Sequence, residues 1–150
     1  VIGIIIGGRL GYILIYNFNH YIQNLLDIFK IWEGGMSFHG GLIGIIFASI
    51  IFAKNNNQNS FLYMDIVALV APIGIFFGRI ANFINSELYG TVTNVPWAVT
   101  FVDVDSLPRH PSQLYEALLE GVCLFFILIH FRNKFSDKPG VISGLFLIFY

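Results

Sequence analysis

The chain has 150 residues, 56% of them hydrophobic and only 11% charged, against about 25% charged in an average soluble domain. With a mean hydropathy of +0.73, a soluble globule of this size could not hide its apolar surface, which excludes a soluble enzyme, a disordered tail and a disulfide scaffold. Eight Lys+Arg against nine Asp+Glu leave no basic excess for nucleic acid, and the single cysteine, Cys123, cannot close an intrachain disulfide.

A helical membrane span needs roughly 20 mostly apolar residues. Val1 to Phe18 carries one charge, Arg9. His39 to Ala53 is apolar after its first residue. Leu62 to Asn85 carries Asp65 near its start and Arg79 near its end. Ser112 to Phe131 carries Glu116 and Glu120, and Pro139 to Tyr150 begins a further span. The expected fold is therefore an all-α polytopic membrane protein with about five transmembrane helices, the fifth truncated. Residues 1–150 read as one transmembrane domain belonging to a longer protein. Between the spans lie short polar links at 54–61 and 132–138, a longer link at 19–35, and an excursion at 86–111. Within that excursion VPWAVTFVDV (95–104) alternates like a strand, half of a hairpin.

Positive charge sets the expected orientation. Lys54, Arg132, Lys134 and Lys138 lie in the two short polar links, and the opposite links hold Lys30 and Arg109. The positive-inside rule makes the short links cytoplasmic and turns 19–38 and 86–111 outward. His39 and Arg79 are then expected at the same outward face.

An Arg at the bilayer centre costs about 2.5–3.5 kcal/mol on insertion scales, so charges kept inside spans mark candidate sites. In GRIANFINSELYG (78–90) Arg79, Asn82 and Phe83 share a helix face, with Asn85 starting the departure from the helix and Glu87 and Gly90 in the turn. A guanidinium there suits a phosphate oxygen; it could instead snorkel, or pair with Glu87 or Glu116. In FHGGLIGIIF, His39 stands at the start of a span with Gly40, Gly41 and Gly44 permitting close helix approach. RHPSQLYEALLEG (109–121) starts a helix, with Ser112 as candidate cap and Glu116 and Glu120 one turn apart, possible partners for Arg9 or Arg79. Arg9, in GGRLGYILIYN (7–17), has Tyr12 and Tyr16 near its face and reads as a packing or pairing residue. Asp65 reads as a structural polar contact and Cys123 as a small core hydrophobe. No His/Cys/Asp/Glu set has metal-ligand spacing. By themselves these residues describe a polytopic membrane protein with an outward polar cluster, which a small transporter or channel with Arg79, Glu116 and Glu120 along a charged path, or a structural membrane subunit, would also fit.

GGMSFHGGLIG (34–44), GRIANFINSELYG (78–90) and RHPSQLYEALLEG (109–121), with GGRLGYILIYN (7–17) before them, closely resemble the bacterial prolipoprotein diacylglyceryl transferases. The resemblance implies a seven-helix, multi-pass protein of the bacterial inner membrane with a periplasm-facing active site. It implies transfer of the diacylglyceryl group of phosphatidylglycerol to the lipobox cysteine thiol of a prolipoprotein signal peptide, forming a thioether and releasing glycerol phosphate. The implied partners are those two substrates and membrane lipids, without nucleic acid, and no cofactor or metal is required. The resemblance assigns His39 and Arg79 as catalytic and Arg79, Asn82, Glu87 and Gly90 as phosphatidylglycerol-binding. Tyr12, Tyr16, His110, Ser112 and Glu116 are read as supporting residues. Ala81 stands where the family commonly has Gly. The family's first helix, with an important Tyr, and a later region with an essential Arg and a Glu lie outside this sequence, so residues 1–150 alone are expected to be inactive.

Overall fold

The computed structural model describes residues 1–135 and 137–150; position 136, inside the polar 132–138 link, lies outside the described residues. The chain forms two compact units, Val1–Tyr63 and Met64–Tyr150. It is an all-α membrane protein: Phe38–Asn55, Ser60–Ile84 and Ser112–Lys134 are each long and apolar enough to cross a bilayer, and Ile2–Tyr16 is a shorter apolar helix. Their side chains point the way lipid demands. Phe47, Phe77 and Phe126 are 61%, 65% and 64% exposed, whereas the buried apolar set is small and includes alanines. Most of the apolar surface is left exposed on the outside of the helices, as suits helices that satisfy their own backbone groups in a bilayer.

In the first unit, α1 (Ile2–Tyr16) packs along α3 (Phe38–Asn55). Hydrophobic burial gives no net drive between helices in lipid, so association depends on close van der Waals approach through small residues. Gly3, Gly7 and Gly11 recur every four residues on α1 and face Gly40, Gly44 and Ala48 on α3. A Cβ on Gly44 would strike the Gly3 carbonyl, and one on Gly7 the Gly40 carbonyl. Ser37 caps α3, its Oγ accepting from Gly40 N at 3.3 Å, and its own amide donates to the Gly8 carbonyl at 2.9 Å. Between the two helices runs α2 (Phe18–Gln23), followed by 3₁₀ turns at Leu25–Phe29 and Ile31–Glu33.

In the second unit, α4 (Ser60–Ile84) precedes a small two-stranded sheet, β1 (Val99–Thr100) and β2 (Pro108–Arg109), paired antiparallel with Val99 opposite Arg109. Then come α5 (Ser112–Glu116), a π-helical segment (Ala117–Cys123), α6 (Leu124–Lys134) and α7 (Val141–Phe149). The core is Ala68, Leu124, Leu128 and Ile142. Asp65 has the structural role expected of it. Its carboxylate accepts from Gly140 N, Ser143 N and Ser143 Oγ at 2.7, 2.7 and 2.8 Å, holding the start of α7.

Three expectations need correction. The strand read over 95–104 is confined to Val99–Thr100, because the chain turns at Pro96–Trp97 and again after Phe101, whose carbonyl accepts from Val104 N at 2.8 Å. Cys123 is exposed, not core: the inward stripe of this helix runs through Ala117, Gly121, Leu124 and Leu128, and Cys123 lies off it. Ser112 is not a cap. It is the first residue of α5, and its hydroxyl donates away from the helix to the Leu88 carbonyl at 2.9 Å.

The 86–111 excursion is held at its base. Phe101, buried, packs edge-on against Phe83 of α4 and tilted against Tyr89, with ring centroids 5.8 Å away in both cases. Residues 108–110 form its spine: Gly90 N donates to His110 O, His110 N to Thr91 O and Thr93 N to Pro108 O. Arg109 clamps the hairpin, its Nη2 2.6 Å from Asp105 Oδ2 and its guanidinium 4.9 Å over the Tyr89 ring. The Arg109 contact, aided by the Leu107 amide, holds the Asp105 carboxyl below the ordinary carboxylate range. A depressed carboxylate pKa contributes stability above the unfolded value, and that contribution disappears as pH falls through the folded one. Amide exchange across residues 99–109 is therefore expected to stay slow at neutral pH and to speed up only below the ordinary carboxylate range, with Asp105→Asn fast at every pH. An Asp105→Asn hairpin as protected as the parent at pH 7 would discount the clamp.

Candidate functional site

Arg79 stands one turn before the end of α4, and its side chain is 22% exposed. It reaches the helix across from it, where Glu116 closes α5 and Glu120 lies in the π segment. Nε is 2.9 Å from Glu116 Oε2, an ion pair whose N–H is not aligned as a hydrogen bond, and Nη2 donates to Glu120 Oε2 at 3.2 Å. Nη1 makes no hydrogen bond with any described residue. The guanidinium is thus anchored on one edge and has donors free on the other. One cation thus faces two carboxylates. The π segment widens the helix at Glu120, a distortion frequent at functional sites. Sequence periodicity gives no sign of it, because an apolar run reads as α-helix by default.

Asn82 follows Arg79 by three residues, and its carbonyl accepts from Glu87 N at 2.8 Å, reversing the chain at the helix end. Glu87 sits between Ser86 and Leu88, both left-handed at φ 57° and 52°. Its carboxylate is exposed, and the expected alternative of an Arg79–Glu87 pair is not formed. Gly90 lies against His110, where a Cβ would come within 2.7 Å of the His110 carbonyl oxygen. Trp97 Nε1 donates to Tyr115 Oη at 2.7 Å, and that hydroxyl is 3.2 Å from His110 Nδ1. The second unit therefore brings together Arg79, Asn82, Glu87, Gly90, His110, Ser112 and Glu116. Sequence reasoning singled out neither Gln113 nor Tyr115. Gln113 is fully buried, and its Nε2 donates to the Glu87 carbonyl at 2.5 Å. A polar side chain next to Ser112 in so apolar a chain was the available signal.

His39 and the two tyrosines belong to the first unit. His39 is exposed in the first turn of α3, beside the Phe38 ring, and its imidazole makes no hydrogen bond with any described residue. It lines one end of an apolar groove formed with Ile6, Leu10, Ile43 and Phe47. Tyr12 stacks on Tyr16 at 5.7 Å and meets Tyr21 edge-on. Arg9 is buried and pairs with no carboxylate among the described residues. Its five N–H groups donate to the carbonyls of Asp27, Ile28, Lys30, Gly34 and Gly35, and its guanidinium lies 5.1 Å over the Tyr21 ring. All five donors of an Arg are used, so Arg9 shapes the link that leads into Ser37 and His39.

The prolipoprotein diacylglyceryl transferase family matches residues 1–150, the whole chain. The chain belongs to that family. Among curated relatives, the phosphatidylglycerol–prolipoprotein diacylglyceryl transferase of Rickettsia felis is 55% identical over 152 residues, covering 100% of this chain and 59% of its own length. That of Rickettsia bellii is 58% identical, covering 100% and 58%, and that of Aeromonas hydrophila 54% identical, covering 99% and 54%. The chain thus spans less than two thirds of these relatives. The family match and the three long apolar helices agree with the membrane reading of the sequence.

Proposed function

We propose that the full-length protein transfers the sn-1,2-diacylglyceryl group of phosphatidylglycerol to the lipobox cysteine of prolipoproteins, in the bacterial inner membrane and on its periplasmic side. The whole-chain family match carries this reading, and the relatives' names supply both substrates. The part-buried guanidinium of Arg79, with Nη1 donors left uncommitted among the described residues, agrees with it.

The chemistry asks for a thiolate, and a free thiol titrates near about 8.5. In the proposed reaction the cysteine sulfur attacks glycerol C3, a C–S bond forms, and the C3–O bond to phosphate breaks. Glycerol phosphate leaves with the electron pair. His39 takes the thiol proton or orients the group that does. Arg79 holds the phosphate through its uncommitted donors and stabilises charge developing on the leaving group. Asn82, Glu87 and Gly90 shape the headgroup site. Tyr12, Tyr16, His110, Ser112 and Glu116 support the two clusters. The phosphodiester supplies its own leaving group, so the scheme needs no cofactor or metal.

The test is transfer of label from phosphatidylglycerol to a lipobox peptide by the full-length protein in proteoliposomes. A thioether product is expected; no product would remove the reading in favour of a transporter or channel using the same charges. His39→Gln is expected to lower transfer by about 10²-fold or more if it handles the proton. Undiminished transfer would strip His39 of that role.

A further inference from the structure

We infer that Gln113 is a positioning residue for the phosphatidylglycerol site: its buried amide, with the Ser112 hydroxyl, holds the strained Ser86–Leu88 turn and so fixes Glu87. For its functional half this rests on the transferase reading.

The turn cannot hold itself. Ser86 and Leu88 both adopt the left-handed region at φ 57° and 52°, where an L side chain meets its own carbonyl and only Gly rests at no cost. Such conformations persist when the surroundings over-determine them. Here the two carbonyls of Glu87 and Leu88 are each held by a side chain from consecutive residues at the start of α5. Gln113 Nε2 donates to Glu87 O at 2.5 Å, and Ser112 Oγ donates to Leu88 O at 2.9 Å. The Glu87 amide is tied back to Asn82 O at 2.8 Å. Glu87 is therefore fixed at both its backbone polar groups, while its carboxylate stays exposed.

Gln113 is inefficient as a stabilising device. It is 0% exposed, and its Oε1 is buried with no donor among the described residues. Burying an amide with half its capacity unmet costs stability. What the side chain does supply is geometry. Three residues after it comes Glu116, which holds Arg79. The same helix start thus fixes the turn that carries Glu87 and the carboxylate that orients the guanidinium.

The test uses Gln113→Met in the full-length protein, which keeps the volume and removes the donor. Its thermal midpoint is expected to stay near the parent's, because the unmet Oε1 disappears with the lost bond. Its kcat is expected to fall by about 10²-fold, the size of a small misplacement of a reacting group. Leu88→Gly alone is expected to leave transfer nearly unchanged. Added to Gln113→Met it is expected to recover much of the loss, because Gly adopts the turn without a staple. Amide exchange of residues 86–90 in nanodiscs is expected to accelerate in Gln113→Met and not across α4, a readout independent of activity. Parental kcat and exchange in Gln113→Met would overturn the inference. So would a loss that follows the thermal midpoint and resists Leu88→Gly. An inactive parent protein would instead count against the transferase reading.

Discussion

Arg79→Ala in the full-length protein is expected to lower diacylglyceryl transfer by about 10²–10³-fold, the cost of removing a preorganised charge aimed at a developing anion. The geometry says why no neighbour substitutes. Arg79 is the cation of a triad with Glu116 and Glu120, at 2.9 and 3.2 Å. Without it two carboxylates one turn apart stand unopposed, and the site repels a phosphate. The same change costs stability, though less than the about 3–5 kcal/mol of breaking a fully buried pair, since Glu116 is 35% exposed. Stability and catalysis separate in the triple variant Arg79→Ala, Glu116→Gln, Glu120→Gln. It removes the repulsion and is expected to regain the thermal midpoint while remaining inactive. Recovery of transfer in that variant would reduce Arg79 to a counter-ion. Arg79→Lys is expected to fall between parent and alanine. An ammonium on a flexible stem cannot hold Glu116 and Glu120 from separate fixed nitrogens and still offer a planar edge to phosphate.

Gly44→Leu is expected to cause the largest loss of folded protein, at least the about 1–3 kcal/mol of overpacking a tight core. At Gly44 the new atom meets backbone, the Gly3 carbonyl and the Gly7 Cα, which cannot rotate away as a side chain could. The α1–α3 contact has no hydrophobic drive in lipid to fall back on, so separating the helices removes the attraction itself. Transfer is expected to fall with it, because His39 stands one residue before Gly40 on the same helix. Gly41→Ala is the matched control. Its Cβ would lie 3.5 Å from Ile4 Cγ2, an ordinary contact, and the variant is expected to behave like the parent. Thermal unfolding in detergent micelles measures both, and equal midpoints for Gly44→Leu and the parent would sink the stripe as the basis of packing.

Much of this was legible in the residues. The helices follow from apolar runs, and the candidate charges stand out because so few charges occur at all. Close helix approach at Gly40 and Gly44 could be read from the sequence, but the Gly3, Gly7 and Gly11 stripe that meets them was seen only in the fold. Other features could not be read this way. The partner of Arg79 was open among Glu87, Glu116 and Glu120, and that of Arg9 among carboxylates it never meets. Such choices depend on how far apart two helices sit and which rotamer reaches, neither of which a one-dimensional pattern encodes. The role of Ser112 reversed for the same reason: alone it has the chemistry of a cap, but the Leu88 carbonyl is within reach.

The sequence by itself therefore determined the solvent this protein folds in, its helical class and the identity of its rare polar groups. Each of these follows from local composition acting on a low-dielectric medium that penalises every exposed charge. The tertiary structure alone decided which polar group satisfies which. It joined Arg79 to Glu116 and Glu120, five carbonyls to Arg9, and Gln113 to the turn at Glu87, because hydrogen bonds and ion pairs act over a few ångströms between residues 18 to 41 positions apart.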